Sequence, residues 1–299
     1  MSNLSVLYDA PGPKAKARNV LYTLLFLAVF ALVVWWGVDT LNAKNQLSAD
    51  KWGPFVTDSR VWTTYLLPGL VETLKAAALS IVLALPLGAL LGIARLSDHA
   101  WVSKPAGFVV EIFRAIPVLL MMVFASQVYV MYTDIESEVR PLYAVVTGLV
   151  LYNGSVIAEI VRAGILSLPS GQTDAAKAIG MRKWQLMVFV LLPQAVTAML
   201  PALVSQLVVI VKDTALGGAI LGFGDLMNQT STISANYANV IATFTAVAIV
   251  YIVLNLVLTW IAGWIEARIR RGKRTTGAVV HGGATEDMEY EEPTPGTKA

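Results

Sequence analysis

The chain has 299 residues, 56% of them hydrophobic and 14% charged, against a usual soluble balance of roughly 45–50% and 25%. That excess marks a membrane protein and excludes an ordinary soluble domain. A net charge of +2 predicts no nucleic-acid partner, and the absence of cysteine excludes disulfides, thiol catalysis and zinc-thiolate centres.

Residues 1–19 form a polar tail that ends with Lys14, Lys16 and Arg18, and an uncharged run follows over residues 19–38. Twenty uncharged residues suit one membrane-spanning helix, and Trp35 and Trp36 fit as interface anchors. No A-x-A site follows, so a retained anchor is expected in preference to a cleaved signal peptide. Residues 39–65 mix acids and bases with Trp52, Gly53, Pro54 and Trp62, and read as an extracellular loop.

A second span is expected over about residues 66–94. Glu72 and Lys75 lie one turn apart near its start, and Pro86, Gly88 and Gly92 allow bending and close packing. Arg95, Asp98 and Lys104 mark a short loop. The third span is expected over residues 115–133 and the fourth over about 143–163, where Asn153 and Gly154 interrupt the apolar run. Glu111-Ile112-Phe113-Arg114-Ala115 recurs as Glu159-Ile160-Val161-Arg162-Ala163, each acid one turn from its arginine. Paired contacts at an inner gate would explain the echo; so would chance at an interface that commonly places arginine inside.

Residues 170–193, SGQTDAAKAIGMRKWQLMVFVLLP, are polar at their start yet flanked by membrane-grade sequence, so they must project from the bilayer. Ser170 suits an N-cap, and Asp174 in the first turn would favour the positive end of the helix dipole. Gly180 can take a left-handed conformation and turn the chain into a second short helix over residues 181–192, ended by Pro193. From there no charge appears until Lys212, and Pro193 and Pro201 divide the stretch. A fifth span starting near Pro201 would carry Lys212 and Asp213 about 16 Å in, close to the bilayer midplane. Gly217, Gly218, Gly222 and Gly224 then suggest an outer loop, and a sixth span is expected over residues 240–265.

Sixteen of the 22 Lys and Arg fall on one side of this arrangement, which is therefore cytoplasmic and holds both termini and the projecting loop. Residues 270–299 read as a disordered cytoplasmic tail, and Arg268, Arg270, Arg271, Lys273 and Arg274 as a stop-transfer flank touching phospholipid. Charges inside spans cost about 3 kcal/mol each on insertion scales, so Glu72, Lys75, Lys212 and Asp213 need a reason. Lys212, with Thr214 beside it, fits a solute path in which an ammonium meets a carboxylate. A structural Lys212–Asp213 pair or a latch between subunits fits equally. No G-x-x-x-x-G-K-[ST] loop occurs, so ATP energy would have to come from a partner. His99 and His281 sit in expected loops and form no catalytic or metal constellation.

Asp174-Ala175-Ala176, then Gly180, Val190 and Leu192-Pro193, resembles the EAA motif of bacterial ABC-importer permeases, with Asp174 where that family usually has Glu. GLVETLKAAALSIVLALPLGALLGIARLS, EIFRAIPVLL, AEIVRAGI, LPQA and KDTAL resemble, in the same order, stretches of the polar amino-acid uptake permeases. This likeness covers residues 69–269, and the N-terminal stretch looks closest to actinobacterial permeases for glutamate. The resemblance implies an all-α integral membrane fold: a five-helix permease core over residues 66–269, preceded by one extra helix at 20–38. It implies a multi-pass protein of the bacterial cytoplasmic membrane that is not itself an enzyme. Its implied partners are an ATP-binding cassette ATPase dimer that holds ATP and Mg, a second permease subunit in a homo- or heterodimer, and an extracytoplasmic amino-acid-binding protein.

On that likeness, Asp174, Ala175, Ala176, Gly180, Leu192 and Pro193 would couple to the ATPase. Glu72, Lys75, Glu111, Arg114, Asn153, Glu159, Lys212, Asp213 and Thr214 are candidates for the solute path or gate. The rival readings are an ion-coupled carrier using Glu72 or Asp213, and a non-transporting scaffold.

Overall fold

Apolar helices joined by short turns make up the chain in the computed structural model, which describes residues 12–274; every regular element among them is helical. Of the tail expected to be disordered over residues 270–299, residues 270–274 are instead the end of a helix, because the apolar span carries its helical ladder into the basic flank; residues 275–299 and the first eleven residues lie outside the described residues. Among the described residues five helices are long and apolar enough to cross a membrane, or six if one bent pair counts as a single span.

Helix α1 (Pro13–Ala43) starts at a proline, whose missing N–H falls where no intrahelical partner exists, and so begins inside the stretch expected to be tail. None of its side chains is buried. The expected extracellular loop is partly folded, with short helices α2 (Ala49–Trp52) and α3 (Pro54–Thr57). Trp62 Nε1 donates to Phe55 O at 2.8 Å, and Tyr237 Oη donates to Asp58 Oδ2 at 2.6 Å, so the segment is tied both to itself and to the far end of the chain.

A wide π-helical turn at Val61–Leu66 leads into α4 (Leu67–Ala94). Helices α5 (Ala100–Ala115) and α6 (Val118–Tyr132) meet at 101°, where Pro117 forces Ile116 into an extended conformation. Most of the loop expected before the third span is therefore helix. The most buried span is α7 (Arg140–Leu166), against which α4, α5 and α6 pack.

Close approach to α7 depends on small residues, because lipid tails remove the hydrophobic drive for helix association and leave packing to decide it. A Cβ on Gly88 would stand 2.5 Å from Ile157 Cγ2 and 2.7 Å from Gly154 O; one on Gly92 would stand 2.6 Å from Ala158 O. On the opposite side of α7, Gly148 lets Met122 of α6 pack against its backbone.

The projecting segment is α8 (Ser170–Ala178), a turn, and α9 (Lys183–Gln185). A second π-helical turn, Leu186–Leu191, joins it to α10 (Leu192–Leu221). Neither proline behaves as a divider. Helix runs unbroken over Lys183–Leu221, with Pro193 in the first turn of α10, where the wide turn has already displaced the backbone ladder, and Pro201 absorbed in its interior. Gly222, at φ +67°, ends α10. The expected outer loop is instead largely α11 (Leu226–Tyr237), capped by Asp225, and α12 (Val240–Arg274) closes the fold.

Candidate functional site

Helix α8 is held by one buried residue and presents the rest. Ala176 sinks into a core with Ile165, Leu186 and Met187, while Asp174, Ala175, Lys177 and Ile179 are exposed. The helix begins at Ser170 after Pro169, so Ser170 is not the N-cap and no side chain caps it; Asp174 lies beyond the first turn. Its end is a Schellman turn: the Gly180 N–H donates to Lys177 O at 2.9 Å and the Met181 N–H to Ala176 O at 3.1 Å. This geometry requires the left-handed backbone of Gly180, at φ +78°. Leu192 packs against the core that receives Ala176, and Pro193 is exposed.

The elbow thus formed is pinned to the α4–α5 turn. Lys183 Nζ donates to Leu96 O at 2.8 Å and to the Asp98 carboxylate, and this hydrogen bond holds the Asp98 carboxyl below its usual range.

One step further along that turn, Arg95 enters a cluster drawn from three helices. Arg95 Nη1 lies 2.6 Å from Glu159 Oε2, and its Nη2 lies 3.4 Å from Glu111 Oε1. Arg162 Nη2 donates to Glu159 Oε1 at 2.6 Å, and Arg114 Nη1 stands 3.8 Å from Glu159 Oε2. The two echoing motifs therefore meet, with Glu159 shared among three arginines. Arg95 was not legible as their hub, because it lies 64 residues from Glu159 and outside either motif.

The remaining candidates do not converge on one point. Asn153 is fully buried and tied off: its amide donates to Leu149 O at 2.9 Å, and Gln206 of α10 donates to its Oδ1. Thr214 is also buried and donates to Val211 O at 2.8 Å. Glu72 and Lys75 pair with each other at 3.3 Å, both partly exposed. Lys212 lines a cleft of about 590 Å³ between α10 and α12, together with Met227, Tyr251, Asn255 and Thr259. Lys212 is exposed, and among the described residues no ion pair within 4 Å joins it to Asp213, although the two still interact electrostatically.

A second buried polar cluster escaped the sequence reading. Asp225 is fully buried, and its Oδ2 accepts from Tyr251 Oη at 3.1 Å. The available signal was an acid directly before Leu226 and Met227, the position of an N-cap, but the polar residues that follow masked the helix.

A family described as binding-protein-dependent transport system inner membrane component matches residues 84–271. The glutamate transport system permease protein GluD of Corynebacterium glutamicum is 47% identical over 236 residues, covering 78% of this chain and 85% of that protein. The glutamate/aspartate import permease protein GltK of Escherichia coli O157:H7 is 32% identical over 210 residues, covering 68% of this chain and 93% of its own length. Among solved structures, a chain from a crystal structure of an amino acid ABC transporter with histidines has a TM-score of 0.63 and 26% identity, covering 69% of this chain and 95% of that one.

Proposed function

This chain belongs to the family of binding-protein-dependent transport system inner membrane components, as an amino-acid ABC permease, and from that premise we propose that it conducts glutamate. The observation that carries this reading is the 47% identity to a glutamate permease across most of both chains. The open cleft at Lys212 supports it: an exposed lysine on a largely apolar wall that also carries Tyr251, Asn255 and Thr259 suits a solute that brings carboxylates. The paired Glu72 and Lys75 leave Glu72 a poor ion site, which disfavours an ion-coupled carrier.

In this reading the elbow lies in the cytoplasm with both chain termini, and its exposed Asp174–Ala175 face docks on one ATPase of a dimer that holds ATP and Mg. A second permease subunit, the same chain or a relative, completes the path, and an extracytoplasmic binding protein delivers the solute. Closure of the ATPases brings two elbows together, and the spans rock from outside-open to inside-open. Ala176 is what makes the elbow a lever. It is seated in the core shared with Ile157 and Val161 of α7, so a push on α8 reaches the most buried span directly. The clamp of Lys183 on the α4–α5 turn, and the Arg95–Glu159 pair beyond it, carry the same push to the inner ends of α4 and α5.

The test is uptake in proteoliposomes holding the complex that co-purifies with this chain. Glutamate uptake should require ATP, survive an ionophore, and be displaced by aspartate more readily than by glutamine. Lys212→Met should raise the KM for glutamate roughly ten-fold, the loss of one charge-assisted contact. Uptake that collapses with the ionophore while ATP is held constant would overturn the proposal.

A further inference from the structure

We propose that Asp225 is a positioning residue of the solute path: it fastens the start of α11 to α10 and α12, and so fixes Met227 in the wall of the cleft that Lys212 also lines. The inference rests on reading that cleft as the path.

Asp225 is a buried acid that forms no ion pair among the described residues; hydrogen bonds and close packing hold it instead. Its Oδ1 accepts from the Asn228 N–H at 2.9 Å, which caps α11, and its Oδ2 accepts from Tyr251 Oη of α12 at 3.1 Å. The next residue binds a third helix, for the Leu226 N–H donates to Thr73 Oγ1 of α4 at 3.2 Å. Against α10 the fit leaves no room at all. A Cβ on Gly218 would fall 1.7 Å from Asp225 Oδ1, and the Asn228 side-chain amide donates to Gly218 O at 3.3 Å.

A helix cap needs one carboxylate oxygen. Here the second oxygen is spent on Tyr251, whose side chain lines the cleft with Lys212, and Met227, two residues after Asp225, lines it from the α11 side. The carboxylate therefore joins two walls of the cleft to each other. If it lets go, the cap and the link to α12 go together, and the first turn of α11 is free to shift relative to Lys212. Thr73 of α4 would still hold Leu226, so the expected change is a displaced wall and not an unfolded helix.

The experiment uses the purified complex in proteoliposomes, with Asp225→Asn, Asp225→Ala, Tyr251→Phe and Lys212→Met. Because the chain has no cysteine, Met227→Cys supplies a unique labelling site in each background. Asp225→Ala should raise the KM for glutamate about ten-fold, with maximal rate per assembled transporter changed far less, and should alter the Met227→Cys labelling rate several-fold. Asp225→Asn should keep near-normal values, since its amide oxygen still accepts from Asn228 and the Tyr251 hydroxyl can rotate to accept from the amide. Tyr251→Phe keeps the α11 cap and removes the second contact, together with the hydroxyl's bonds to Thr73 and Thr214, so it should reproduce a smaller KM shift even if Asp225→Ala fails to assemble.

Unchanged KM and labelling in both Asp225→Ala and Tyr251→Phe would overturn the proposal. So would a loss in Asp225→Asn as deep as in Asp225→Ala, because charge and not seating would then matter. Should labelling shift while Lys212→Met leaves glutamate uptake untouched, the clamp is supported and the assignment of the cleft as the solute path falls.

Discussion

Gly180→Pro should leave the chain inserted and assembled but abolish the link between ATP hydrolysis and uptake. The native backbone at this position has φ +78°, whereas proline is confined near −65°, so the turn cannot form as it stands. The substitution also deletes the N–H that donates to Lys177 O, one of the two bonds of the Schellman turn. Together these effects exceed roughly 3 kcal/mol, enough to reorient α8 relative to α9 while the spans above keep their packing. Uptake should fall at least ten-fold with hydrolysis persisting, and Gly180→Ala should give an intermediate loss, because an alanine in the left-handed region costs about 1–2 kcal/mol. Normal coupled uptake by Gly180→Pro would count against the elbow as the lever.

Gly88→Val should prevent stable folding, and for a different reason. Its Cβ would meet Ile157 Cγ2 at 2.5 Å, Ile157 Cβ at 2.6 Å and Gly154 O at 2.7 Å. The last contact is backbone and cannot rotate away. Overpacking in a core usually costs 1–3 kcal/mol where side chains can adjust, so here the penalty should pass the top of that range. Little folded protein should survive size-exclusion chromatography in detergent, and any that does should melt well below the parent chain. Gly263→Val is the control: nothing lies within 4 Å of a Cβ there, and its melting temperature should stay close to the parent's. Equal behaviour of the two variants would remove the close approach of α4 and α7 from the account.

What the sequence made legible follows from the range of the forces involved. Long apolar runs announce spans because the bilayer demands them, so α1, α4, α7 and α12 were visible, and Gly88 and Gly92 signalled close packing without saying that α7 would be the neighbour. Pro193 and Pro201 misled, since a proline breaks a helix only where the ladder needs its N–H, and the wide turn at Leu186–Leu191 removes that need at Pro193. Helix α11 was hidden by its polar composition; its cap at Asp225 is local, but the core that buries Leu226 and Ile233 comes from other helices, and its seat on Thr73 is 153 positions away.

The same limit applied to the candidate site. A local signal, the turn at Gly180, could be read directly. Arg162 was a local partner of Glu159 within the echo, but the others come from α5 and from the α4–α5 turn, which also holds Lys183, and the echo held no information about Arg95 or Asp98. Asn153 and Thr214 stood out as polar residues in a membrane, yet the structure satisfies both internally, which removes the need to assign them solute.

The most direct measurement exploits the absence of cysteine. A single cysteine at Ile179, which is 79% exposed beside the Gly180 turn, should crosslink to a nucleotide-hydrolysing subunit in the native membrane complex, with a yield that changes when ATP is added. Adducts that never include such a subunit, or labelling of that cysteine by an impermeant reagent from outside intact cells, would contradict the account.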